Sequence, residues 1–200
     1  GMLIVSALMC FIFNPIIGLI NTGFSNMLTS LANAGLITLL GCLLGGMMAV
    51  DMGGPINKAA YVFGTGMLAE GHYEIMAAVM IGGMIAPLAI ALIATFFPKK
   101  LPKKERQAGL LNYVMGLSFI SEGAIPFASA DPLRVLPSCV VGSSVSGAMS
   151  MAFNCTLMAP HGGIFVLPLI GNWGWYLLSL IVGSVVAMAI MAVLKKNVWE

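Results

Sequence analysis

The chain has 200 residues, of which 60% are hydrophobic and only 8% are charged, and its formal net charge is +2. Soluble domains carry about a quarter of their residues as charged side chains, so this composition excludes a soluble globular protein, and no nucleic-acid partner is expected. The apolar residues are interleaved with 24 glycines and with Ser and Thr, which is typical of packed membrane helices and not of outer-membrane barrels. We therefore predict an all-α, polytopic transmembrane helical bundle in the lipid bilayer.

The first 34 residues are predicted to form a unit of their own. Residues 2–20 are apolar and nearly long enough to cross a bilayer, and Pro15 can kink them. Between residues 24 and 33, apolar side chains recur at helical spacing while polar side chains fill the other face. This pattern predicts an amphipathic helix that lies at the membrane interface or packs on the bundle. Residues 35–200 are predicted to form the second unit, which contains the polar motifs.

The basic residues predict the orientation of the chain. Of the nine Lys and Arg residues, five lie between 99 and 106, and two lie at 195 and 196. By the positive-inside rule, the loop 98–107 and the C-terminus are expected on the cytoplasmic side. The full-length apolar span 75–97 then places the polar cluster at 70–74 outside.

The next apolar segments include a run that is too short to cross the bilayer. Residues 35–50 are predicted as a glycine-rich span, and the run 59–69 follows after Gly-Gly-Pro. Eleven residues do not cross a hydrocarbon core about 30 Å thick. Residues 51–69 are therefore predicted to form a hairpin that enters from the outer face.

A parity argument predicts a second hairpin. Both ends of residues 107–194 are expected inside, yet this segment contains three apolar blocks. The shortest block, 108–121, is followed by Glu122 and Pro126, which interrupt a helix. We predict that it is re-entrant from the inside, which leaves two crossings.

A third break is predicted at Pro160–Gly163, which can fold back toward the middle of the bundle. Transporters place their binding sites at such discontinuities, where helix ends present unpaired backbone groups. The three breaks, at 51–58, 121–126 and 160–163, are therefore the expected surroundings of a site for a polar solute.

Glu122 is the strongest candidate for chemistry, because a carboxylate among apolar segments is costly unless it has a function or a partner. It can accept hydrogen bonds from two hydroxyl groups and take a proton from a reacting hydroxyl. The alternative is a structural Glu122 paired with Arg134 or Lys58.

Three further residues are predicted to bind the solute: Asn57 and Lys58 after the first break, and His161 on the third. Supporting roles are assigned to Asp51, Ser121 and Arg134. The alternatives are purely structural roles: an Asp51–Lys58 ion pair, an Asp131–Arg134 ion pair at a helix end and a structural His161. His72 is expected to be exposed to solvent. No metal site and no cofactor are expected, since the four cysteines lie in apolar stretches without ligand spacing.

Three stretches around these residues resemble the fructose-family permease component, enzyme IIC, of the bacterial phosphoenolpyruvate-dependent sugar phosphotransferase system. They are MAVDMGGPINKAAY (48–61), GLSFISEGAIPFASADPLRVLPS (116–138) and APHGGIFV (159–166). The family motif, commonly Gly-Ile-Thr-Glu, corresponds to Phe119-Ile120-Ser121-Glu122. Phe and Ser thus replace Gly and Thr, and the carboxylate is retained.

The resemblance implies a function and partners. An enzyme IIC binds a sugar, carries it to an inward-facing state and presents it to the phosphocysteine of a IIB domain, and IIA is a further expected partner. It implies that Glu122 binds the hydroxyl that is phosphorylated, that 35–200 is a sugar-transport domain, and that the protein is a homodimer in the bacterial inner membrane. Family members are longer, so the resemblance covers their later part. The rival hypotheses are a proton-coupled secondary sugar transporter and an inactive structural fragment of a larger permease.

Overall fold

The computed structural model describes residues 6, 11, 14–33 and 35–197. The α-helices are α1 (Asn14–Asn33), α2 (Ile37–Val50), α3 (Pro55–Ala69), α4 (Tyr73–Phe96), α5 (Lys103–Leu117), α6 (Ile125–Ala130), α7 (Pro132–Ala152) and α8 (Trp173–Leu194). Short 3-10 segments cover Pro98–Lys100, Ser121–Ala124 and Gly163–Leu169. Two short strands, β1 (Thr156–Leu157) and β2 (Ile170–Gly171), pair antiparallel. The predicted class, a helical bundle with broken helices, is confirmed.

In the described part of the chain, three helices are long and apolar enough to cross a membrane: α4, α7 and α8. They correspond to the predicted span 75–97 and to the two crossings predicted in the second half. The first predicted span, 2–20, lies largely outside the described residues. The predicted amphipathic segment 24–33 is the second half of the continuous helix α1, and Leu28 in it is fully buried.

Helix α4 is the centre of the bundle, and 94% of its most apolar stretch is buried inside the protein. Small residues allow this close packing, since they let helix backbones approach each other. A Cβ placed on Gly82 of α4 would lie 2.6 Å from the Cα of Gly45 in α2. Likewise, a Cβ placed on Gly142 of α7 would lie 2.5 Å from the carbonyl oxygen of Gly183 in α8.

The first hairpin differs from the prediction. Residues 55–69 form one helix and do not reverse; instead, α2 and α3 are the two arms, joined by a turn at 51–54. Met67, near the end of α3, lies with Ile37 at the start of α2 around one cavity, so the arms are antiparallel. The helix in the predicted span 35–50 has 14 residues, fewer than the roughly 20 that cross a bilayer on their own.

The second hairpin forms where it was predicted, from α5, the 3-10 segment 121–124 and α6. Helix α5 runs back along α4, with Gly109 against Ala94. The chain then reverses, and Asp131 lies 3.2 Å from Lys195 at the end of α8. The same end contains Lys100, whose Nζ donates to the Lys195 carbonyl oxygen at 2.6 Å. The hairpin thus returns to the end of the bundle from which it started.

The third break also folds back as predicted. After α7, the chain passes through β1 and reaches Gly163, which is buried against the carbonyl oxygen of Leu117. The following residues return to β2 and enter α8 through Asn172, whose side chain donates to the carbonyl oxygens of Phe153 and Asn154 at 3.1 Å each. All three breaks are therefore turned into the bundle.

Candidate functional site

The tips of the three breaks meet at one place. A Cβ placed on Gly53, in the first turn, would lie 2.8 Å from Oε1 of Glu122, in the second. A Cβ on Gly163, in the third, would lie 2.9 Å from the backbone nitrogen of Phe119. Both glycines have positive φ, 106° and 59°, a conformation that favours glycine. Segments that are over 100 positions apart in the sequence thus form a single site.

A cavity of about 240 Å³ opens between these tips. Its lining residues are Met48, Asn57, Lys58, Tyr61, Phe119, Ile120, Ser121, Glu122 and His161. The cavity is smaller than the roughly 300–1,000 Å³ that is typical of sites for drug-sized ligands. The space therefore suits a small polar solute. The structure brings together the four predicted binding residues and Ser121.

Glu122 and Lys58 form an ion pair across the cavity. Their Oε1 and Nζ atoms are 3.8 Å apart, and the side chains are 47% and 59% exposed. This N–O distance is longer than the value of about 2.7–2.9 Å that is usual for a charge-assisted hydrogen bond. Both groups therefore retain the capacity to bind hydroxyl groups. The alternative partner Arg134 does not contact Glu122 but pairs with Asp131, as described below.

The side chain of Asn57 has a structural role in addition to lining the cavity. It is only 3% exposed, and its Nδ2 donates to the carbonyl oxygen of Met48 at 2.7 Å. This bond joins α3 to the last turn of α2. The Asn57 side chain therefore fixes the hairpin as well as lining the cavity.

Sequence reasoning missed the apolar and aromatic lining of the cavity, and Phe119 is its central residue. Its ring centroid is 5.1 Å from that of His161 and 6.3 Å from that of Tyr61. The ring lies on Gly83 of α4, where an added Cβ would overlap it. Phe119 has φ of 62°, a left-handed conformation that bulky residues rarely adopt. The sequence did contain an indication of this: the Gly-Ile-Thr-Glu motif that the stretch resembles commonly has Gly at the position of Phe119.

Asp51 and Arg134 do not line the cavity. The Asp51 carboxylate accepts hydrogen bonds from the backbone N–H groups of Ile56 (2.7 Å) and Asn57 (2.9 Å), and so stabilises the start of α3. Gly54 is the N-cap residue, and the Asp51 side chain supplies the carboxylate that is favourable at the first turn of a helix. The proposed Asp51–Lys58 pair is not formed, because Lys58 faces Glu122.

Arg134 belongs to a separate polar group at one end of the bundle. Its Nη1 and the Nζ of Lys195 both lie 3.2 Å from Oδ2 of Asp131. Burial by itself raises the pKa of Asp131, but hydrogen bonds from Lys195 and Arg134 outweigh it and hold that pKa below its usual range. The predicted helix-end pair of Asp131 and Arg134 is therefore present.

Comparison with known proteins identifies the family. The family profile described as "Phosphotransferase system, EIIC" matches residues 1–142. The chain belongs to this EIIC family. No solved structure matches it significantly.

The relatives of this EIIC chain include proteins named for fructose. It is 48% identical over 200 residues to the "Fructose permease IIC component" of Bacillus amyloliquefaciens, covering 100% of this chain and 65% of the relative. It is 48% identical over 200 residues to the "PTS system fructose-specific EIIABC component" of Bacillus subtilis, covering 31% of that protein. A "PTS system fructose-specific EIIC component" of Haloferax volcanii is 44% identical over 194 residues, covering 97% of this chain and 52% of the relative. The chain thus spans less than two thirds of each of these relatives.

Among the described residues, this EIIC chain has no group of three or more His, Cys, Asp or Glu side chains that could hold a metal ion. Cys42, Cys139 and Cys155 are free thiols, and the last two are buried. Cys10 lies outside the described residues. The structure therefore gives Cys139 and Cys155 the surroundings of small apolar core residues, while Cys42 is partly exposed.

Proposed function

We propose that this chain binds a sugar in the cavity and presents one of its hydroxyl groups for phosphorylation by a partner protein. The observation that supports this most directly is that Glu122, Lys58, Asn57 and His161 line one small cavity at the meeting point of three backbone breaks. The names of the relatives point to fructose as the sugar. In this proposal, residues 35–200 carry the transport function.

Glu122 is the proposed acceptor of hydrogen bonds from the sugar. One carboxylate accepts from two neighbouring hydroxyl groups, and the cavity side of Glu122 is open to solvent. Lys58, on the opposite wall, donates to sugar oxygens. His161 both donates and accepts, because a neutral imidazole has one nitrogen of each kind. Ser121 supports the turn that holds Glu122.

The proposed chemical step is a phosphoryl transfer from a phosphocysteine of a IIB partner. The sugar hydroxyl oxygen attacks phosphorus, the O–P bond forms as the S–P bond breaks, and the thiolate leaves with the partner. The hydroxyl proton passes to Glu122, which acts as general base. Lys58 stabilises the negative charge of the phosphoryl group as it approaches. Within this proposal, the chain is the membrane subunit of a phosphotransferase and has no phosphoryl donor of its own.

The partners and location complete the proposal. The name "EIIABC" of the Bacillus subtilis relative supports IIB and IIA components as partners. We also propose a homodimer in the bacterial inner membrane, with the loop 98–107 and the C-terminus in the cytoplasm. The number of copies is measured by light scattering of the purified protein in detergent. A monomeric mass would contradict the dimer and leave the sugar site unaffected.

Replacement of Glu122 tests the proposed step. The full chain is purified in detergent and mixed with fructose and a phosphorylated IIB domain from the Bacillus subtilis relative. Glu122→Gln keeps the shape of the side chain but removes the base, so we expect phosphorylation to fall by about 10²–10⁴-fold, the usual contribution of a positioned base. Glu70→Gln is the matched control, since Glu70 is an exposed carboxylate away from this cavity. Wild-type rates in Glu122→Gln would remove the carboxylate from the mechanism.

The same system separates this function from its rivals. A proton-coupled transporter takes up fructose into vesicles under a pH gradient without any phosphoryl donor, whereas the proposed protein takes up none. An inactive structural fragment binds no fructose in calorimetry. Fructose binding together with donor-dependent phosphorylation therefore supports only the proposed function.

A further inference from the structure

A buried amide oxygen beside the turn of Glu122 has no hydrogen-bond partner. Asn112, on α5, is 1% exposed, and its Nδ2 donates to the carbonyl oxygen of Ala108 at 3.1 Å. That bond fixes which way the amide points, because the reversed amide would place two oxygens together. Its Oδ1 is buried and has no partner among the described residues. Buried polar atoms are nearly always paired, so an unpaired one calls for an explanation.

The unpaired oxygen faces the backbone next to Glu122. A Cβ placed on Gly123 would overlap Oδ1 of Asn112, so this oxygen rests against the Cα of Gly123. The N–H of Gly123 is itself weakly bonded: its distance to the carbonyl oxygen of Ile120 is 3.5 Å. The usual N–H···O distance is about 2.9–3.0 Å. An unused acceptor thus lies against the residue whose own N–H donor is poorly held.

We propose that Asn112 is a positioning residue for Glu122, and that its Oδ1 accepts the N–H of Gly123 when sugar is bound. A small rotation of the segment 121–124 exchanges the weak bond to Ile120 for the bond to Asn112. Because Glu122 directly precedes Gly123, the rotation moves its carboxylate in the cavity. The sugar-bound arrangement satisfies both groups, so part of its stability comes from a contact that the sugar never touches.

This inference rests on the proposed function, because it concerns how the sugar site is held. The ordinary alternative is that Asn112 is a passive packing residue. Ser184, on α8, offers a matched comparison: it is 4% exposed, and its Oγ also has no partner among the described residues. It does not line the cavity.

The test compares Asn112→Leu with Ser184→Ala in the full chain. Leu has a similar size and no polar atoms, so both variants are expected to melt at or above the wild-type temperature, since each removes an unpaired buried group. Fructose binding, measured by calorimetry, is expected to weaken about fivefold in Asn112→Leu, which matches the loss of one hydrogen bond. It is expected to stay within twofold of wild type in Ser184→Ala. If wild type binds fructose and Asn112→Leu binds it equally well, the inference fails and the proposed function stands; if wild type binds none, both fail.

A second measurement does not depend on the folding of Asn112→Leu. The sequence has two Glu-Gly pairs, 70–71 and 122–123. Labelling Glu with carbonyl ¹³C and Gly with ¹⁵N therefore selects two amide signals in NMR. Saturating fructose is expected to move the Gly123 amide proton downfield and slow its exchange with water, while Gly71 in the exposed loop stays unchanged. A Gly123 signal that keeps its position and exchange rate with bound fructose overturns the proposal.

Discussion

At the scale of single residues, Phe119 shows how the site combines strain with packing. Its backbone is in the left-handed region, yet its side chain is only 7% exposed. The ring packs against Gly83, where there is no side chain, and contacts the rings of Tyr61 and His161. The ring contacts therefore offset the conformational cost of the backbone.

Phe119→Gly separates the two effects. Glycine removes a left-handed strain of about 1–2 kcal/mol, but loss of a buried phenyl ring costs about 3–5 kcal/mol. We expect the free energy of unfolding to fall by roughly 2 kcal/mol, seen as a lower melting temperature in detergent. Asn154→Gly is the control, because Asn154 also has positive φ, 49°, but is exposed. Equal or higher stability in Phe119→Gly would show that the ring contacts do not offset the strain.

At the scale of elements, the α2–α3 hairpin depends on contact between backbones. A Cβ placed on Gly45 of α2 would overlap the carbonyl oxygen of Ser143 in α7. Ser143 is completely buried, and its Oγ donates to the carbonyl oxygen of Gly82 in α4 at 2.9 Å. Because α2 leads into the turn 51–54, the position of Lys58 depends on this three-helix contact.

Gly45→Ala tests this dependence. The added methyl group forces α2 away from α7, so we expect a loss of about 1–3 kcal/mol in the free energy of unfolding and weaker fructose binding. Gly66→Ala on α3 is the matched control, since an added Cβ there meets nothing within 4 Å. That variant should gain about 0.5–1 kcal/mol from helix propensity and bind fructose as wild type does. Thermal melting and calorimetry measure both, and a Gly45→Ala protein that behaves like Gly66→Ala would contradict the packing argument.

The sequence predicted much of this arrangement because charge and proline are conspicuous among apolar residues. Glu122, Lys58 and His161 could be found in this way, and so could the reversal after α5. The two arms of the first hairpin could not be predicted, because hydropathy does not show at which residue a helix ends and the chain reverses. Nor could the contact between Phe119 and Gly83, since it depends on how separate helices pack.

At the scale of the whole molecule, the basic segments lie together. Lys100 is hydrogen-bonded to the end of α8, and Asp131 is paired with Lys195. Glu70 lies in the loop at the opposite end of α4 from this basic group. The two ends of the bundle therefore differ in charge, as a fixed orientation in the membrane requires.

Single cysteines report this orientation. In a variant whose native cysteines are replaced, Glu70→Cys is expected to react with a membrane-impermeant maleimide on intact cells. Lys104→Cys, at an exposed position near the basic end, is expected to react only after the membrane is permeabilised. The reverse pattern would place the basic loop outside and contradict the proposed orientation.

The burial of α4 has a consequence for biosynthesis. Its most apolar stretch is 94% covered by protein, against 33% for that of α8, so α4 scarcely meets lipid in the finished molecule. Its apolar character is then required twice: when the helix is inserted into the membrane before its neighbours surround it, and in the finished bundle, where a polar side chain would be buried without a partner. Polar substitutions in α4 should consequently harm both insertion and the packing of the finished bundle, whereas the same changes on the outer side of α8 are felt through contact with lipid.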